Sequence, residues 1–106
     1  MKVSPTQRSL EHMRSLGYVC QVVERWNPFA KRRIDLFSCV DILCLGPDGD
    51  TVGIQATSHS NVSSRVTKIA NSEHVGAIRK CGWRLLVHGW GKRANGKYEL
   101  REVDVS

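Results

Sequence analysis

The stretch 36-LFSCVDILCLGPDGDTVGIQAT-57 decides the fold. Two apolar runs, 36–45 and 51–57, flank 46-GPDGD-50, whose proline, aspartates and glycines mark a hairpin connection. Symmetry about Asp48 makes cross-strand partners sum to 96, so Asp41 faces Gln55. Run 36–45 is apolar on both alternating faces, as in a strand covered on both sides. In 51–57, Val52, Ile54 and Ala56 point one way while Thr51, Gly53, Gln55 and Thr57 point the other. One face of the hairpin is therefore polar, and Asp41 belongs to it. A carboxylate in an apolar strand is costly unless something satisfies it. A divalent cation is one such partner; backbone donors, or an arginine such as Arg65, are others. Gln55 and Thr57 also have a plainer reading, as cross-strand polar residues on a solvated face.

Outward from the hairpin, Ser4 caps a helix that runs from Pro5 to Leu16 and stops at Gly17. The segment 18-YVCQVVERW-26 is β-branched and aromatic enough for a strand, interrupted by Asn27-Pro28. After 58-SHSN-61, Val62, Val66, Ile69 and Ala70 follow helical spacing. Ser72 caps a second helix that carries Val75, Ile78 and Cys81 as far as Gly82. Then 83-WRLLVHGW-90 reads as a strand, 91-GKRANGK-97 as a loop and 98-YELREVDV-105 as a last alternating strand. The predicted order is αβββαββ. It describes a single α/β domain over residues 1–106, with a mixed sheet of about five strands flanked by helices.

The composition suits one modest core: 106 residues, 41% apolar and 25% charged. No run of about eighteen apolar residues exists, which excludes a spanning helix. The first residues lack an apolar leader core, so a cytoplasmic location is the expectation. The four cysteines show no zinc-ligand spacing and read as reduced, buried thiols. Sixteen lysines and arginines against ten acids leave a charge of +6, which favours polyanionic partners. The positive charge gathers near the hairpin in sequence: Lys31, Arg32 and Arg33 before it, and Arg65 and Lys68 three apart after it. Lys92 and Arg93 follow Trp90, which lies between two glycines and is the best placed of three tryptophans to contact a base. His59 reads as a surface histidine and His88 as a packed one.

With an acidic residue on the second strand (40-VDILCL-45) and a polar motif on the third (53-GIQATS-58), this order resembles the PD-(D/E)XK nuclease superfamily. The likeness is greatest to its small Holliday-junction-resolvase-like and phage-type members, and it covers nearly the whole chain. Asp41 stands at the family's aspartate, and Gln55-Ala56-Thr57 stands about fourteen residues later at (D/E)xK. The resemblance implies that Asp41 and the Gln55 amide oxygen hold Mg²⁺ or Mn²⁺, together with the Ala56 carbonyl. Glu11 is the second acid that it suggests. Thr57 occupies the lysine position, and Lys68 is the substitute cation with Arg65 behind it. Asp35 shares the face of Asp41, but six extended residues would separate them by roughly 20 Å. The activity implied is a metal-dependent DNA endonuclease acting as a homodimer on branched or double-stranded DNA, in a phage or mobile-element setting. Thr57 also admits a catalytically silent nuclease fold that binds nucleic acid or regulates a partner. A protein-interaction factor with no nucleic-acid role is the third reading.

Overall fold

A computed structural model describes residues 3–106. Ser4 accepts the Gln7 N–H at 3.1 Å and so caps α1 (Pro5–Ser15), which buries Ser9, Leu10 and Met13. The main sheet contains β1 (Val19–Val22), β4 (Ile42–Leu45), β5 (Thr51–Ser58), β6 (Arg84–Lys92) and β7 (Tyr98–Asp104), in that order across it. All neighbours are antiparallel except β5 and β6. A parallel pair requires a crossover. Here it is a 3₁₀ turn (His59–Asn61) followed by α2 (Val62–Ala70) and α3 (Val75–Lys80). The protein is thus an α/β domain with a mixed five-stranded sheet. Among the described residues no helix is long and apolar enough to cross a membrane.

The expected hairpin register holds, with Ile42 opposite Ile54 and Leu45 opposite Thr51. Two expected strands are shorter than their apolar runs. The run 36–45 becomes a strand only at Ile42, because the chain first doubles back on itself. Leu36 and Val40 exchange backbone hydrogen bonds of 2.9 and 3.0 Å across a loop in which Phe37 and Ser38 adopt φ of 54° and 58°. Cys39 is buried in the turn itself, and Val40 is buried at the bridge that closes it. Apolar character reports burial and cannot by itself separate a strand from a buried turn.

The run 18–26 also breaks, at Val23 and Glu24. Their N–H groups both donate to the Asp41 carbonyl, at 2.8 and 3.3 Å. The chain then leaves the sheet to form a separate antiparallel ribbon of β2 (Arg25–Asn27) and β3 (Arg32–Ile34). The cysteines divide: Cys39 and Cys44 are buried, Cys20 is half-buried and Cys81 is exposed.

Each face of the sheet has its own core. Leu10 and Met13 of α1 cover Ile42, Cys44, Val52, Ile54 and Leu86. On the other face Val62, Ile69, Val75 and Ile78 cover Val40, Leu85 and Val87. The crossover presses closely on β6. A Cβ at Gly89 would lie 2.2 Å from a Val62 methyl carbon and 3.3 Å from the His59 Cα, and one at Gly91 would lie 2.9 Å from the His59 Cβ. Glycine at Gly89 therefore sets how near α2 can approach the sheet. Gly89→Ala should lower stability by about 1–3 kcal/mol through overpacking. Gly76→Ala, in open space on α3, should leave the thermal midpoint unchanged or raised when both are melted by circular dichroism.

Candidate functional site

The polar face of β5 meets three acids at the end of the β4–β5 ladder. One carboxylate oxygen from each of Glu24, Asp35 and Asp41 lies within 4.8 Å of the other two. Asp41 reaches this point because its own N–H ends the ladder on the Ile54 carbonyl at 2.9 Å. Its Oδ2 then accepts the Ala56 N–H at 3.0 Å. Asp35 arrives through the doubling back at 36–40, which replaces the extended path expected between it and Asp41. Glu24 arrives through the break after β1.

Two side chains close the cluster. The Gln55 Nε2 donates to Asp35 at 3.2 Å and to the Cys39 carbonyl at 3.3 Å. Lys68 extends from α2 and donates to the Gln55 Oε1 at 3.1 Å and to Asp35 at 2.5 Å. At the outer edge Arg33 pairs with Glu24 at 3.3 Å.

The three acids are not equivalent. Burial raises the pKa of Asp41 to about 8, and a hydrogen bond to Asp35 and the negative charge of that neighbour push the same way. The Ala56 N–H opposes this shift. Burial also acts to raise Asp35, but hydrogen bonds from Asp41, Lys68 and Gln55 outweigh it and hold Asp35 below its ordinary value. Near neutral pH the pair therefore keeps one proton, on Asp41, while Asp35 stays ionised under Lys68.

Several residues singled out in the sequence meet here: Asp41, Gln55, Ala56 and Lys68, with Thr57 buried on the same face of β5. Arg32 and Arg33 line a hollow beside Asp35, Ser38 and Lys68, and Lys31 is exposed at the end of the ribbon turn. Arg65 is half-buried on α2, and Asp41 takes a backbone donor in place of any arginine.

Glu11 is not part of the cluster. It is exposed on α1, across the sheet from α2, and accepts from Gln7 at 3.3 Å. The second acid is Asp35, with Glu24 as a third that the sequence reading missed. The only signal was an acid near the end of the β-branched segment 18-YVCQVVERW-26, and Arg25 beside it gave it an ordinary explanation.

Trp90 and Lys92 also lie away from the acids, in a hollow with Arg8 and Tyr98 near the start of α1. Arg93 pairs with Glu99 at 3.4 Å. The indole N–H of Trp90 donates to the Ser9 Oγ at 2.8 Å, which leaves that hydroxyl to donate to the His88 Nδ1 at 2.9 Å. His88 is fully buried, and its other nitrogen donates to Glu102 at 2.9 Å. Burial holds its pKa below the usual value despite Glu102, so it serves as a neutral packing group.

No family model, curated protein or solved structure matches this chain.

The three acids form a group that could hold a metal ion. Three carboxylates converge with Lys68 and Arg33 as the cations beside them, and hard cations take oxygen ligands of this kind. Without a cation the protonated Asp41 is a liability to the fold. The folded chain holds a proton that the unfolded chain releases above about 3.8, so the penalty grows as pH rises from there towards 8. Asp41→Asn keeps an acceptor for Ala56 and removes the charge. Its melting temperature should match the wild type near pH 4 and exceed it at pH 8, by on the order of 2 kcal/mol in stability.

Proposed function

We propose that this chain is a divalent-metal-dependent DNA endonuclease of the PD-(D/E)XK type, selective for branched DNA and acting as a homodimer. The observation that carries the proposal is the delivery of Lys68 from α2 to the Gln55 amide, beside Asp41 and Asp35. An ammonium is thereby supplied where the third-strand motif ends in Thr57.

Asp41, Asp35 and Glu24 are the carboxylates for Mg²⁺ or Mn²⁺, with the amide oxygen of Gln55 and the Ala56 carbonyl beside them. The bound ion supplies an activated water and neutralises charge on the phosphate. The protein contributes placement. The Ala56 N–H fixes one oxygen of Asp41, and the Gln55 NH₂ group bridges Asp35 and the Cys39 carbonyl. Lys68 would orient the attacking water or meet charge on a nonbridging oxygen. Arg32 and Arg33 beside the acids, Lys31 at the ribbon tip and Arg65 on α2 supply salt-dependent affinity for phosphate.

One observation favours a second reading, a silent nuclease fold that binds nucleic acid. The cluster is satisfied internally, by a proton on Asp41 and an ammonium on Asp35.

Cleavage of labelled four-way junction, flap, duplex and single-stranded DNA with Mg²⁺ or Mn²⁺ separates the two. The endonuclease should lose roughly 10²–10³ in rate on Asp41→Asn or Lys68→Met. Metal affinity should rise about tenfold per pH unit up to about 8, because the ion must displace the proton of Asp41. DNA binding without metal-dependent cleavage, equal in wild type and variants, would refute the enzyme and leave the silent module.

A further inference from the structure

The β2–β3 ribbon has no role in either core and carries an unusual surface. Its ten residues, 25-RWNPFAKRRI-34, include four cations and no acid. Phe29 at the tip is 97% exposed, and Trp26 on β2 is 60% exposed. The tip has a defined shape. The Asn27 Oδ1 accepts from the N–H groups of Phe29 and Ala30, at 2.9 and 3.2 Å, and Lys31 closes the turn at a φ of 51°. Phe29 is thus held out from the protein by a built turn, and the folded domain gains nothing from its ring. At the other end the ribbon is joined to the acid cluster, through the Arg33–Glu24 pair and through Asp35, which follows β3 directly.

We infer that this ribbon is a DNA-engaging arm whose Phe29 inserts as a wedge at an interrupted base stack, the feature that distinguishes a branch point from continuous duplex. A two-stranded ribbon fits a major groove about 12 Å wide. Apolar side chains inserted between base steps unstack them, and the cost is least where stacking is already broken. Arg25, Lys31, Arg32 and Arg33 grip the flanking phosphates, while Trp26 offers a second ring for an exposed base. The uniform positive charge selects a polyanion over a protein partner. The inference rests on the endonuclease reading only for its statement of which DNA reaches Asp41; the arm itself requires no cleavage.

The test is made in metal-free buffer with chelator, so that intact wild-type protein binds without cutting. Affinity for a four-way junction and for a linear duplex of equal length is measured at fixed salt. A 2-aminopurine at the branch point reports unstacking. Wild type should prefer the junction and brighten the probe. Phe29→Ala, a change at a fully exposed side chain, should lose about tenfold on the junction and less than twofold on the duplex, with the probe left dark. Phe29→Trp should restore both signals.

An unchanged preference in Phe29→Ala overturns the wedge, as does equal loss on both substrates or failure of wild type to bind DNA. A change in self-association alone, followed by sedimentation, assigns Phe29 to a protein contact and also overturns it. Metal-dependent cleavage with an unaltered Phe29→Ala preference removes the wedge and keeps the endonuclease. A working wedge on a protein that never cleaves removes the endonuclease and keeps the arm.

Discussion

The hydrogen bond from the Ala56 N–H to the Asp41 carboxylate is the contact around which the functional end of this domain is arranged. Beyond Ile42 the backbone ladder between β4 and β5 stops, and a side-chain oxygen serves as acceptor for the next donor on β5. The exchange satisfies a buried N–H, as a folded protein must. It also fixes a carboxylate in a place where burial opposes its charge. The backbone carbonyl of Asp41 is used as well, since both N–H groups at the break after β1 converge on it. One residue therefore terminates two strand pairings and anchors the polar cluster.

The other acids come to Asp41 through irregular backbone. Phe37 and Ser38 adopt left-handed conformations without being glycine, each at a cost of about 1–2 kcal/mol. The burial of Cys39 and Val40, which follow directly, offsets that cost. Strain adjoining a cluster of titratable groups is a recurrent property of sites that bind or react. Here it has a direct geometric result, because the doubled-back loop brings Asp35 into hydrogen-bonding distance of Gln55.

Much of this was legible in the residue pattern. The turn chemistry of 46-GPDGD-50 and the alternation of 51–57 were enough to derive the register that sets Asp41 against Gln55, and it holds through four cross-strand pairs. Five sheet strands and the helical crossover followed from punctuation by Gly, Pro and Ser. The path of the chain at 23–24 and 36–40 did not. The first lies in a β-branched segment and the second in an apolar run, and neither pattern records whether the backbone stays extended. For that reason the pattern makes Asp35 look remote and leaves Glu24 unmarked, while Glu11 comes from the resemblance alone. Lys68 was visible only as a cation at a suitable helical position; its reach into the cluster depends on how closely Gly89 lets the crossover approach.

The crossover gives the site an order of assembly. The acids lie on segments that meet through local hairpins and short loops, whereas Lys68 comes from a helix that docks only when β6 has paired in parallel with β5. Parallel pairing across a long connection is a late event in folding, because the connecting chain must be ordered first. Until then Asp35 lacks its ammonium, although Arg33 can already meet Glu24. Docking of the crossover is therefore also the step that brings Lys68 to the acids, and a chain that has formed its hairpins but not its crossover has an incomplete site.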